Sequence, residues 1–121
     1  MMSARRAALC APVAIAILLV GGCSKTVACT AEARFSFVVT VLDASGKRVC
    51  DASVTVRDGT FSQVLQPVRF GECEYRGVSE RKGTYSIKVR SGTGSKTLVG
   101  VKVSADECHV HTRHVTVVLD R

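Results

Sequence analysis

The chain has 121 residues, 17 Lys and Arg against 10 Asp and Glu, a formal charge of +7, and no Trp. That length allows one domain with one small core and excludes two. The charge is spread without a run of like sign, which excludes the dense basic tract of a nucleic-acid binder and suits a solvated surface, or one near anionic lipid or acidic polysaccharide.

The first 23 residues read as an address and an anchor. Arg5 and Arg6 give a positive start, residues 7–20 an apolar run, and Val20-Gly21-Gly22 leads into Cys23. This pattern resembles the lipobox of bacterial lipoproteins, in which small residues fit the narrow peptidase cleft and the cysteine thiol takes a diacylglyceryl group. A transmembrane helix is the competing reading, but about 14 apolar residues fall short of the roughly 20 a bilayer needs. The resemblance implies a signal peptide over residues 1–22, a mature chain starting at lipidated (palmitate-bearing) Cys23, and a membrane as the first partner. It also implies release of the Ser24-flanked anchor to the periplasmic face of the outer membrane in a bacterium with two membranes. Without residues 1–22 the basic count is 15 against 10 acids, a charge of +5.

Six cysteines sort by position. Cys10 leaves with the signal and Cys23 takes lipid, so Cys29, Cys50, Cys73 and Cys108 remain. An even set in a small exported domain reads as two disulfides, with three possible pairings. A structural zinc site fails on spacing, since no Cys-x-x-Cys occurs.

Residues 24–34 are short, polar and small, and read as a tether before a domain over residues 35–121. Phe35, Phe37, Val39 and Val41 then share one face of a strand, with Ser36 and Thr40 on the other, and the Asp43-Ala-Ser-Gly46 turn follows. Ala52, Val54 and Val56 repeat the pattern up to Asp58-Gly59, and these two strands are expected to pair. Residues 60–82 alternate weakly around Pro67, Gly71 and Gly77; Phe61 to Leu65 and Val68 to Phe70 are expected to make one or two short edge strands. Clear alternation returns at Tyr85, Ile87 and Val89, then at Val99, Val101 and Val103, and finally at Val115, Val117 and Leu119. Such a valine-rich series, turning every eight to twelve residues with no helical period, predicts an all-β antiparallel sandwich.

The phrase Phe-Val-Val-Thr-Val-Leu-Asp-Ala-Ser-Gly-Lys at 37–47, Asp-Ala-Ser-Val-Thr-Val at 51–56 and Gly-Thr-Tyr-Ser-Ile-Lys-Val at 83–89 resemble carboxypeptidase regulatory-like domains. The resemblance implies their fold, a seven-stranded Greek-key sandwich of the transthyretin-like (prealbumin-like) kind. Its motifs are largely structural: Gly46 and Gly83 permit positive φ, and Tyr85 can bury its ring while its hydroxyl finds a partner. In such a sandwich the first and last strands commonly run parallel as neighbours. Cys29 before the first strand and Cys108 before the last therefore share one end, which leaves Cys50 to pair with Cys73.

Hydroxyisourate hydrolase shares this fold, but Thr40 stands where that enzyme carries a catalytic histidine. Its terminal Tyr-Arg-Gly-Ser is imitated only internally, by Tyr75-Arg76-Gly77-Val78. His109 and His111 lie two apart, so in an extended strand both imidazoles share a side and form a candidate copper, zinc or nickel pair. No Gly-x-Ser-x-Gly elbow occurs, and Gly92-Thr-Gly94-Ser-Lys96 reads as a hairpin turn rather than a phosphate loop. The sequence thus predicts a lipid-anchored cell-envelope module that binds or braces without catalysis and without a cofactor. Its expected partners are a membrane and an envelope protein or anionic polysaccharide, with no nucleic acid. The alternatives are a metal-binding protein using His109 and His111, and a small transthyretin-like hydrolase.

Overall fold

Alternating residues build strands here because most of the strands have one face to bury and one to hydrate. The computed structural model describes residues 27–68 and 73–121. The signal peptide, Cys10, Cys23, Ser24 and Phe70 lie outside the described residues. Within them run β1 (Phe35–Leu42), β2 (Ser53–Asp58), β3 (Phe61–Pro67), β4 (Glu74–Ser79), β5 (Gly83–Ser91), β6 (Gly94–Val103) and β7 (Arg113–Val118), with no helix.

The strands form one sheet in the order β6-β5-β2-β3-β4-β1-β7. It is mixed rather than wholly antiparallel, because β1 and β7 run parallel, Val39 facing Val115 and Val41 facing Val117. The sheet curls until its two edges approach each other, making it nearly barrel-like. Side chains bridge that seam: Lys96 Nζ donates to the Val118 carbonyl at 3.2 Å and Arg113 to the Lys102 carbonyl at 2.9 Å. Phe37, Val39, Val41, Val54, Val56, Tyr75, Ile87, Val89 and Leu119 fill the interior with no exposed area. Each buried valine contributes about 1.5–3 kcal/mol by leaving water.

Three expectations are corrected by these pairings. First, β1 and β2 do not pair; β1 lies between β4 and β7, and β2 between β3 and β5. The expected turn forms, with Asp43 Oδ1 accepting the Ser45 and Lys47 N–H groups and Gly46 at φ +88°. After one bridge from Leu42 to Arg48, however, the chain crosses over. The Tyr75 hydroxyl fixes the crossing, donating to the Val49 carbonyl at 2.8 Å and accepting the Ala52 N–H at 2.9 Å. Turn chemistry sets a reversal but not the partner that receives the chain.

Second, β3 is not an edge. It pairs with β2 over Phe61 to Leu65 and with β4 at Gln66 and Pro67, while Val68 lies past its end. Third, Val99 does not join Val101 and Val103 in the core. Between Tyr85–Val101 and Ile87–Leu98 the register shifts, so Ser86 faces two residues, Val99 and Gly100. Gly100 takes φ +69°, and this bulge turns Val99 outward, 79 % exposed, while Leu98 packs against the core.

Both sulfur pairings expected from the sandwich form, Cys29–Cys108 and Cys50–Cys73, with Cα separations of 5.3 and 4.9 Å. Each joins the stretches just upstream of two strands: β1 and β7 in the first case, β2 and β4 in the second.

Candidate functional site

The densest polar cluster sits at the Cys29–Cys108 end, where the lead-in to β1, the β4–β5 turn and the β6–β7 loop meet. Its centre is His109, 9 % exposed. The Glu80 carboxylate can only accept, so Nδ1 carries the proton it shares with Glu80 Oε2, and Nε2 is left for the Thr30 hydroxyl at 2.9 Å. Glu80 Oε1 accepts the Val110 N–H at 2.9 Å and Oε2 the Arg34 N–H at 3.0 Å. The Glu80 N–H in turn donates to the Arg34 carbonyl at 3.0 Å. These bonds hold Glu80 at φ +50°, a left-handed conformation that a non-glycine residue seldom adopts. They also keep its carboxyl below the usual range, the His109 hydrogen bond first and the Val110 N–H second.

Asp106 orders the adjoining loop. Its Oδ1 accepts the N–H groups of Cys108 at 2.8 Å and His109 at 3.0 Å, and Oδ2 meets His111 Nε2 at 3.2 Å. The His109 and Cys108 amides are the main reason its pKa falls to about 2. Clefts of about 520 and 410 Å³ flank this cluster, one beside Glu80 and Lys82, the other beside Thr30 and Arg34.

A hydroxyl, an imidazole and a carboxylate in line have the outline of a nucleophilic relay. Acyl transfer also needs free N–H donors aimed at the developing oxyanion. Here the amides of Cys108, His109 and Val110 are all committed to carboxylates. What the arrangement does is lock three chain segments together.

His109 and His111 do not share a side as the extended-strand expectation required. The loop folds back through the Ala105–Val110 bridge, and β7 starts only at Arg113. His109 points inward, while His111 is exposed and held by Ser104 and Asp106. Among the described residues, no group of three or more His, Cys, Asp or Glu is placed to hold a metal ion. His114 stands exposed at the start of β7. Thr40 lies half-buried on β1 opposite Glu74 and Thr116, remote in register from the His109 cluster. Thr30 and Glu80 carried no sequence signal, being 79 and 29 residues from His109.

A second constellation occupies the outer face of β2 and β5. Val54 and Val56 face the core, so Ser53, Thr55 and Arg57 face out, and on β5 Thr84, Ser86, Lys88 and Arg90 do the same. Register sets Ser53 opposite Arg90, Thr55 opposite Lys88 and Arg57 opposite Ser86. Arg57, Lys88 and Arg90 line a shallow cleft of about 160 Å³ with Ser53 and Thr55.

Compared with known proteins, the chain matches no family model and no curated protein.

Proposed function

We propose that the protein is a lipid-anchored module of a bacterial cell envelope, a transthyretin-like Greek-key sandwich that binds or braces and does not catalyse. The sheet order, with a parallel pair of first and last strands, supports the sandwich. The committed amides around His109 favour a non-catalytic role.

The Val20-Gly21-Gly22-Cys23 pattern carries the anchored reading, and the Cys29–Cys108 bridge marks the end of the domain it would hold. Cys29 lies six residues past Cys23, so the lipid would sit within about 20 Å of the stapled end, counted along a fully extended chain. A domain held that short presents its opposite end and its sheet faces to the envelope. Mass spectrometry of the mature N-terminus tests this reading. A diacylated Cys23 as first residue is expected, with Cys23→Ala accumulating as an uncleaved precursor; a mature chain starting elsewhere refutes it.

A further inference from the structure

The cations of the outer β2–β5 face have no carboxylate among the residues that line their cleft. Arg76 pairs with Glu74, Arg81 with Asp58 and Arg121 with Asp51, while Arg113 is spent on the Lys102 carbonyl. Among the described residues, Arg57, Lys88 and Arg90 make no ion pair. The register continues the pattern onto β6, where Ser95 faces Arg90, Thr97 faces Lys88 and Lys102 faces Thr84. Beyond β2 the next outward positions on β3 are Ser62 and Val64. The acids at the two ends of β2 are already held, Asp58 by Arg81 and Asp51 by Ser91 and Arg121.

Spacing makes this face a grid. Lys88 and Arg90 are two residues apart on one strand, about 7 Å. Arg57 lies diagonally across from Lys88, about 7–8 Å away by strand geometry. Hydroxyls stand between the cations, and those of Thr55 and Thr97 are on β-branched side chains stiff at χ1. No aromatic ring occurs among the positions named on this face, whereas single-stranded nucleic acids are gripped by stacking on such rings. The chemistry presented is therefore regularly spaced positive charge plus hydroxyl hydrogen bonding, on a surface that is already ordered.

We infer that this face binds an acidic polysaccharide, a chain whose sugar carboxylates or sulfates pair with Arg57, Lys88 and Arg90 while its hydroxyls meet Ser53, Thr55 and Thr97. The inference deepens the proposed binding role by naming its ligand class. Because the contacts are charge-dominated, affinity falls steeply with salt.

The test uses the full chain in neutral detergent, so a failure of lipidation at Cys23 leaves it readable. Calorimetric titration with polygalacturonate at low and physiological salt is expected to show saturable binding that weakens with salt, with neutral dextran silent. The triple variant R57A/K88A/R90A, on exposed positions, is expected to keep the wild-type melting temperature and lose at least about tenfold in affinity. An R76A control, on β4, is expected to bind as wild type. No binding to polygalacturonate, equal loss in the control, or equal or tighter binding of single-stranded DNA or anionic lipid vesicles through the same three residues would overturn the inference.

Discussion

Glu80 and His109 meet across 29 residues of sequence, the carboxylate accepting the Nδ1–H of a buried imidazole whose other nitrogen holds Thr30. Through this pair the β4–β5 turn, the lead-in and the β6–β7 loop become one unit. Glu80→Gln keeps the shape but removes the charge that three donors address, so one of them faces an amide N–H or a weaker acceptor. The expected result is a melting temperature several degrees lower. Amide exchange at Arg34 and Val110 is expected to speed up while β2 and β5 stay protected. Uniform loss of protection would contradict the local character of the lock.

Acid should loosen the same end. The Glu80 carboxyl is held below its ordinary value, and that of Asp106 falls to about 2. Both groups bind protons more weakly in the folded chain than in the unfolded one. The stability they contribute is present above the ordinary carboxylate range, near pH 4, and drains away as pH falls from there towards 2. Melting temperature is expected to be level from pH 7 to 5 and to fall below 4. Asp106→Asn should start lower and lose less over that interval; a variant parallel to wild type would refute the assignment.

Removal of the Tyr75 hydroxyl isolates the crossover from β1 to β2. Tyr75 has no exposed area, and Tyr75→Phe leaves the Val49 carbonyl and the Ala52 N–H without their shared partner. A loss of about 1–3 kcal/mol is expected in urea denaturation. A change below about 0.5 kcal/mol would mean that water replaces the hydroxyl.

The bulge on β6 can be tested by two neighbouring valines. Val99→Ala, at a position 79 % exposed, is expected to change stability by less than about 0.5 kcal/mol. Val101→Ala, 6 % exposed, is expected to cost about 2 kcal/mol. Gly100→Ala meets no atom within 4 Å, so its expected cost of about 1 kcal/mol is that of positive φ alone. Equal effects at the two valines would remove the bulge.

The two disulfides close sequence separations of 79 and 23 residues. In the chain-entropy model these correspond to about 4–5 and about 3 kcal/mol. Cys29→Ala/Cys108→Ala should therefore destabilise more than Cys50→Ala/Cys73→Ala, as read from urea midpoints. Non-reducing peptide maps that link Cys29 to Cys50 would refute the pairing.

Strands with unbroken alternation were legible in the sequence, because burial on one face dictates every second residue. β2, β5 and β7 are of this kind, whereas β1 is buried on both faces, Ser36 and Val38 as well as Phe37 and Val39; the resemblance to a sandwich, which sets the first strand beside the last, implied Cys29–Cys108. β4 escaped notice since Gly77 and Val78 are both buried and Val78 takes φ +61°, which breaks the two-residue period. Gly100 did the same to β6. Which strand pairs with which depends on contacts far apart in sequence, so the turn after β1 suggested a partner that it does not have. The His109 cluster was half legible. The histidines stood out by type, but their spacing implied a shared side only if the loop were extended, and Thr30 and Glu80 had no local mark at all.

The Cys29–Cys108 bridge also decides how the domain bears a mechanical load. A pull on the lead-in reaches Cys29 and divides there, one branch entering β1 and the other crossing the sulfurs towards β7. Those strands are parallel neighbours, so both are drawn from the same end and the tension does not slide one past the other. Force then passes into the sheet through β4, across hydrogen bonds that must shear together along the strand rather than open one at a time. A domain pulled from this end would resist being peeled apart strand by strand.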